Sequence, residues 1–504
     1  MSQQSEPRRK TTSQANGAAP PVARAHDDWW SYSPAPESTR VEIADRYGLF
    51  IDGRFVAPRS RKHFTTRNPA TEQPLAEIAE AGPADVDAAV AAAKSVQPRW
   101  ARLKPTERAK YLFRIARRIQ ERTRELAILE TMDGGKPIRE SRDVDIPLVA
   151  HHFFYHAGWC DKLRYAVPGR DPKPVGVCGQ IIPWNFPLLM MAWKLAPALT
   201  CGNTCVIKPA ETTSLTALRL AEIFEEVDLP PGVVNVVTGA GATGQAIVEH
   251  PDIRKIAFTG STEVGKHIAS SVAGTDKRLT LELGGKSANL IFDDASIDQA
   301  IEGIIQGIYF NQGHVCCAGS RLFVQESILE TVIDKLEHRM RSLRVGDPLD
   351  KNTDVGAINS KGQLATIHRY IEAGRNEGAT LHEPQPDAPL PRTGYWHRPC
   401  FFTDVQPSHV IAREEIFGPV LAVMSFRTPE EGLMRANNSP YGLAAGVWTD
   451  KGAKIFEIAR SLKAGVIWCN TYNQFDPASP FGGYKASGFG REGGIPGLRA
   501  YLRV

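Results

Sequence analysis

From Val175 to Leu283 the chain writes short apolar runs at intervals: VGVCGQII at 175–182, NTCVIKP at 203–209, VVNVV at 233–237, KIAFTG at 255–260 and LTLEL at 279–283. Their length and β-branched content read as strands. Between them, Leu215 to Val227 and Ser261 to Ala273 carry helical spacing. Strands alternating with helices form βαβ units, so this region predicts an α/β fold with a parallel sheet covered on both faces. A second α/β run is expected over roughly 284–470 on the same spacing.

Upstream, GLFIDGRFV after Tyr47 reads as a hairpin turning at Asp52-Gly53. Two helices follow. One covers Asp85 to Lys94 after Pro83, and the other runs from Thr106 to Met132 and ends at Asp133-Gly134-Gly135. Residues 1 to about 40 are rich in Ser, Ala, Pro, Gln and Arg without an apolar period. They predict a disordered tail in which only the Trp29-Trp30 pair is suited to dock. The opening MSQQSEPRRK lacks the apolar segment of a secretory leader. Ile181 to Thr200 is apolar enough to suggest a membrane span, but Pro183, Asn185, Pro187, Lys194 and Pro197 argue against one.

Across 504 residues the formal charge is only +4, which points to neither nucleic acid nor an anionic membrane as a partner. The eight cysteines form no CxxC pair and no His cluster completes a metal pattern, so no metal is expected. Most of these thiols read as reduced and buried in a cytoplasmic protein. Cys316-Cys317, between Gly313 and Gly319, is the exception, because backbone around glycine can approach a ligand.

Several segments suit chemistry. Gly239-Ala-Gly241-Ala-Thr-Gly244 follows a strand and opens a helix, the setting for phosphate at a helix N-terminus. Phe258-Thr-Gly260-Ser261-Thr-Glu263 is an equally good seat, or simply a helix capped by Ser261. A literal dinucleotide fingerprint would place the ribose on Glu263. Glu282, in Leu281-Glu-Leu-Gly-Gly-Lys286, stands at an apolar strand end. Burial would raise its pKa toward a general base, and an ion pair with Lys286 is the equal alternative. Asn185, between Pro183-Trp184 and Phe186-Pro187, is either a fixed amide donor or a turn residue. A reactive thiolate at Cys316 requires a lowered pKa and nearby donors.

Together these segments resemble the aldehyde dehydrogenase superfamily from about Tyr47 to Val504. The likeness rests on PWNFPLLM, KPAE at 208–211, FTGSTEVG, LELGGKS, FNQGHVCCAGSR, EEIFGPV at 414–420 and SPFGGYKASGFGRE at 479–492. The resemblance implies Cys316 as nucleophile, Glu282 as base for deacylation, and Asn185 with the Cys316 N–H as oxyanion donors. It implies Lys194 and Glu492 as outer members of a proton path. It implies that NAD is held by Ile181, Pro183, Trp184, Lys208, Glu211, Gly241, Gly244, Phe258, Gly260, Ser261, Leu283, Glu415 and Phe417. Lys208 and Glu211 would take the adenosine ribose, which favours Glu211 over Glu263. Phe186, Met190, Phe475 and Phe481 match substrate-tunnel positions. One departure is His314, where the family usually carries Gln.

The implied fold is aldehyde dehydrogenase-like. A Rossmann-type NAD-binding domain would cover 41–150 and 173–283, and an α/β catalytic domain 284–484. A small β bridging and oligomerisation element would cover 151–172 and 485–504, with strands near Gly158 to Ala166 and Lys485 to Val504. The implied activity is NAD-dependent oxidation of a small-molecule aldehyde to a carboxylic acid, through a thiohemiacetal and a thioester on Cys316. The implied assembly is a homodimer or a dimer of dimers. The alternatives are a CoA-acylating dehydrogenase, against which a water-activating Glu282 speaks, and a catalytically silent scaffold paralogue, against which Cys316, Glu282, Asn185 and Lys208 speak.

Overall fold

Asp52 and Gly53 both adopt positive φ (53° and 74°) in the computed structural model, as a two-residue hairpin turn requires. They join strands Leu49–Ile51 and Arg54–Val56. The structure describes residues 33–384 and 389–503. The Trp29-Trp30 pair lies outside the described residues.

An eight-stranded sheet runs, edge to edge, Gly488–Phe489, Arg278–Glu282, Lys255–Thr259, Val177–Ile181, Thr204–Lys208, Val234–Val236, Leu49–Ile51, Arg54–Val56. Its five central strands are parallel. Val177–Ile181 is the middle one of these five: the chain proceeds outward through Thr204–Lys208 and Val234–Val236, then returns to the other side with Lys255–Thr259. The strand order therefore reverses there, and loops leaving the carboxyl ends of strands on either side diverge to open a crevice. The five strands predicted from 175 to 283 are all present, and the helices between them run Leu215–Glu226 and Thr262–Val272.

A seven-stranded sheet takes its strands from Ala288 to Cys469. All are parallel except Thr380–His382 at one edge. Helix Pro187–Thr200, the segment weighed as a membrane span, is only 14 residues long and buried throughout. No helix among the described residues is long and apolar enough to cross a membrane.

Three expectations need correction. The single helix over Thr106 to Met132 is two, Pro105–Glu121 and Thr123–Gly134. They break at Arg122, whose guanidinium bonds Glu125, Glu222 and Glu226 on neighbouring turns and on the Leu215–Glu226 helix. Pro34–Arg40, inside the expected tail, is anchored: Ala35 N–H donates to Asp350 Oδ1 at 3.0 Å and Glu37 N–H donates to the Leu349 carbonyl at 2.8 Å. Lastly, no strand covers Gly158 to Ala166. The helix Ile146–Ala157 buries His152, Phe153, His156 and Ala157 and passes through a turn into the short helix Leu163–Ala166. The small sheet of this region pairs Lys173–Pro174 with Leu502–Arg503, and Gly488–Phe489 joins the large sheet against Leu281–Glu282.

Candidate active site

The ends of three parallel strands converge on one cavity of about 540 Å³. Pro183, Trp184, Asn185 and Phe186 follow strand Val177–Ile181; Gly260 and Ser261 follow Lys255–Thr259; Glu282 closes Arg278–Glu282, with Leu283 and Gly284 after it. The second sheet contributes Cys316 and Cys317 from the loop before strand Arg321–Gln325, and Glu415 and Phe417 from the loop before Val420–Phe426.

Cys316 follows three residues at positive φ: Asn311 (47°), Gln312 (53°) and Gly313 (74°). Non-glycine residues hold that conformation only where surroundings impose it. Here Asn311 N–H donates to Glu140 Oε2 at 2.9 Å, its side-chain amide donates to the Asn185 carbonyl at 2.8 Å, and Gln312 Nε2 donates to the Ala357 carbonyl at 3.0 Å. Asn185 Nδ2 in turn donates to the His314 carbonyl at 2.8 Å, so the amide and the thiol loop are tied to each other.

A contact with the Cys317 thiol, followed by burial, holds Cys316 well above its ordinary value. Cys317 also lines the cavity, but its sulfur points to Asn473 Oδ1 at 3.7 Å and its carbonyl accepts from Tyr472 OH at 2.9 Å.

Glu282 is 4% exposed, and among the described residues neither carboxylate oxygen has a hydrogen-bond partner. Burial first, and the charge of Glu492 second, raise its pKa well above the usual carboxylate value. Pairing with Lys286 does not occur: among the described residues Lys286 Nζ is buried with no hydrogen-bond partner, and burial pushes its pKa down to about 7. Behind Glu282, Lys194 and Glu492 form a buried ion pair. Glu492 reaches the cavity wall and Lys194 does not.

Phe186, Met190, Phe475 and Phe481 line the cavity, together with Trp193 and Phe310, which sequence reasoning missed. Trp193 packs on Phe481 at 5.3 Å, and Phe186 stacks on Phe310 at 6.1 Å. Phe310 opens the motif FNQGHVCCAGSR, and Trp193 lies three residues beyond Met190, so helical periodicity from Phe186 and Met190 was the available signal for it.

Elsewhere on the wall, Glu415 Oε1 accepts from Gly285 N–H at 2.9 Å, and burial pushes the Glu415 carboxyl up to about 7. Phe417 sits at φ 56° and packs on Trp184 at 5.2 Å and on His314 at 5.9 Å. Gln363, also unforeseen, holds this loop by donating to the Ile416 and Phe417 carbonyls at 3.0 and 2.9 Å.

Lys208, Glu211, Ile181, Gly241, Gly244 and Phe258 do not line the cavity. Lys208 Nζ donates to the carbonyls of Pro209 and Gly239 and stands 3.6 Å from Glu211. A side-chain carbon on Gly244 would lie 3.6 Å from Ile181 and 3.7 Å from Lys208, so these residues form one neighbourhood at the helix that starts at Gly241. Ser261 caps the next helix, its Oγ accepting from Val264 N–H at 3.3 Å. Glu263 is exposed one turn further on. Two helix N-termini, a carboxylate beside a lysine, and a carboxylate-and-aromatic loop near the thiol suit the phosphates, ribose and nicotinamide ends of a dinucleotide respectively. Among the described residues no group of three or more His, Cys, Asp or Glu is placed to hold a metal.

The sequence profile of the Aldehyde dehydrogenase family matches residues 55–504. The mitochondrial aldehyde dehydrogenase of Homo sapiens is 46% identical over 484 residues, 94% of this chain and 93% of that protein. The mitochondrial benzaldehyde dehydrogenase of Antirrhinum majus is 43% identical over 468 residues, 90% of this chain and 87% of that one. The solved NAD+ complex of an aldehyde dehydrogenase from Bacillus cereus has a TM-score of 0.88 and 44% identity, covering 92% of this chain and 98% of that one.

Proposed function

The chain belongs to the aldehyde dehydrogenase family, and from that premise we propose that it oxidises an aldehyde to a carboxylic acid with NAD, through a thioester on Cys316. The supporting observation is that Cys316, Glu282 and Asn185 line one cavity, whose wall also carries aromatic rings and the Glu415–Phe417 loop. Bound beside that loop, NAD would supply the hydride acceptor.

Cys316 sulfur attacks the aldehyde carbon, and a C–S bond forms as the carbonyl oxygen takes the electron pair. Asn185 has a second side-chain N–H beyond the one given to His314, and this hydrogen with the Cys316 N–H meets the developing oxyanion. Loss of hydride from carbon leaves the thioester. Glu282 then removes a proton from water as its oxygen attacks the acyl carbon, the C–S bond breaks, and the thiolate leaves. The Lys194–Glu492 pair behind Glu282 carries that proton outward. The thiol acquires its negative charge by proton loss to a neighbouring base.

Lys208 and Glu211 hold the adenosine ribose, Ser261 the pyrophosphate, and Glu415 with Phe417 the nicotinamide riboside. Ile181, Pro183, Trp184, Gly241, Gly244, Phe258, Gly260 and Leu283 form the surrounding wall. Phe186, Met190, Phe475 and Phe481 line the aldehyde tunnel. We assign 41–150 and 173–283 to NAD binding, 284–484 to catalysis, and 151–172 with 485–504 to bridging. Among the described residues the two-stranded sheet Lys173–Pro174 with Leu502–Arg503 leaves open edges, which supports a homodimer or dimer of dimers that covers one of them. The eight free cysteines support a reducing, cytoplasmic location.

NADH production across short-chain, long-chain and aromatic aldehydes, with and without CoA, tests the reading. Turnover without CoA, lost in Cys316→Ala, is expected. Turnover only with CoA would make the enzyme CoA-acylating, and none with any aldehyde would favour a scaffold.

A further inference from the structure

The turn that carries Asn311 and Gln312 into the left-handed region is held by groups that do not line the cavity. Two stretches supply them, 135–140 and 348–357. Ala357 N–H donates to the Gly135 carbonyl at 2.9 Å, Ile138 N–H donates to the Pro348 carbonyl at 2.7 Å, and Arg139 pairs with Asp354 at 2.8 Å. The two stretches thus form one frame. Each offers the turn an acceptor: Glu140 Oε2 takes the Asn311 N–H at 2.9 Å, and the Ala357 carbonyl takes the Gln312 amide at 3.0 Å.

Glu140 is buried and closes the short helix Ile138–Glu140. Beyond it the backbone widens: Ile146 N–H reaches back five residues to the Ser141 carbonyl, a kind of turn that recurs at functional sites. The wide turn ends on Asp145, which pairs with Lys136 at 2.6 Å, and the Lys136 ammonium lies 4.3 Å from the centre of the Phe186 ring on the cavity wall. Burial, and then the charge of Asp145, push the Glu140 carboxyl up to about 8, so near neutral pH it is largely uncharged. Its bond to Asn311 therefore depends on an acceptor oxygen in the right place rather than on a negative charge.

We propose that Glu140 is a positioning residue for the reaction: by holding the Asn311 N–H it sets the turn that aims Cys316 and fixes the Asn185 amide. The proposal rests on the reading of Cys316 as nucleophile. Glu140 acts through two links. Asn311 Nδ2 donates to the Asn185 carbonyl at 2.8 Å, and Asn185 Nδ2 donates at 2.8 Å to the carbonyl of His314, two residues before Cys316. Successive non-glycine residues at positive φ persist only where their surroundings impose it. Without its acceptor the buried Asn311 N–H would be unsatisfied, which is costly. The turn would relax, and the thiol and the oxyanion donor would move with it.

The test compares Glu140→Gln, Glu140→Asp and Glu140→Leu in the full-length protein, with Cys316→Ala as control. Glu140→Gln keeps an acceptor oxygen at the same reach. Glu140→Asp keeps the acid but falls one methylene short, and Glu140→Leu removes the acceptor while keeping the bulk. In steady-state kinetics with a good aldehyde, Glu140→Gln should stay within a few fold of the wild type. Glu140→Asp and Glu140→Leu should lower kcat/KM by about 10²-fold, the cost of a misplacement of about 1 Å. NAD affinity, read by quenching of protein fluorescence, should stay within a few fold in all three, which a general loss of structure would not allow. If Glu140→Leu fails to fold, the contrast between Glu140→Asp and Glu140→Gln decides. Wild-type rates in Glu140→Asp and Glu140→Leu, Glu140→Gln as slow as Glu140→Asp, or a parallel loss of NAD affinity overturns the positioning role. Activity surviving in Cys316→Ala would instead overturn the reading of the nucleophile, and the role with it.

Discussion

The backbone carbonyl of Cys316 rests against Gly285: a side-chain carbon on that glycine would stand 2.4 Å from the carbonyl oxygen. That is far inside van der Waals contact, and the atom that would have to move belongs to the loop carrying the proposed nucleophile. Gly285→Ala is therefore expected to displace Cys316. A misplacement of about 1 Å costs on the order of 10²-fold in rate. Kinetics with a good aldehyde should show kcat/KM lowered by about that factor, while NAD affinity, measured by quenching of protein fluorescence, stays within a few fold. Near-normal kcat/KM would mean that the loop yields without moving the thiol.

On the proposed ribose assignment, cofactor choice turns on Glu211, which stands 3.6 Å from Lys208 with its side chain partly exposed. A carboxylate that takes two ribose hydroxyls would meet a 2′-phosphate as a like charge, which is costly at contact. NAD is expected to exceed NADP in kcat/KM, and Glu211→Gln should narrow that ratio by raising the NADP value. An unchanged ratio in the variant would move the ribose elsewhere.

Much of the cofactor half was legible because its strands are short, β-branched and separated by helices with ordinary stop signals. Ser261 was readable as a helix cap and is one. Where the reading failed, distant parts of the chain decide. Arg122 breaks a helix that periodicity runs straight through, because carboxylates about 100 residues away bind its guanidinium. Pro34–Arg40 has the composition of a tail, yet it is fixed by Asp350 and Leu349. Gln363 and Phe310 reach the cavity only because the second sheet packs where it does. The raised pKa of Cys316 likewise depends on its neighbours in space, which local glycine content does not reveal.

The adjacent thiols should differ sharply. Cys317 is 1% exposed and is turned toward Asn473, with its carbonyl held by Tyr472. Cys316→Ala is expected to abolish NADH formation while leaving NAD binding intact. Cys317→Ala should retain most activity and allow the Cys316 thiol to ionise at lower pH, since the contact with Cys317 is the first cause of its raised pKa. The pH dependence of iodoacetamide labelling at Cys316 measures this directly. Loss of activity in Cys317→Ala, with Cys316→Ala still active, would exchange the two roles.

Separating the two halves of the reaction gives the last prediction. In the proposed mechanism hydride transfer requires Cys316 and the oxyanion donors, whereas hydrolysis of the thioester requires an activated water. General-base assistance is worth about 10²–10⁴-fold. Glu282 lacks a hydrogen-bond partner for either oxygen among the described residues, so it is free to turn toward water. Its raised pKa means that the neutral carboxyl predominates at low pH and the basic form grows as pH rises through that pKa. Steady-state turnover of the wild type should therefore climb with pH. In Glu282→Gln the side chain keeps its shape but cannot accept the proton. A stoichiometric burst of NADH is expected, then turnover slower by about 10²-fold or more, with an acyl adduct on Cys316 visible by intact mass. The pH climb of the slow phase should vanish, while the burst keeps the pH dependence of Cys316 itself. If the burst disappeared with the slow phase, Glu282 would instead be the base that ionises Cys316. Turnover near the wild-type rate would remove Glu282 from the chemistry and require another base for hydrolysis.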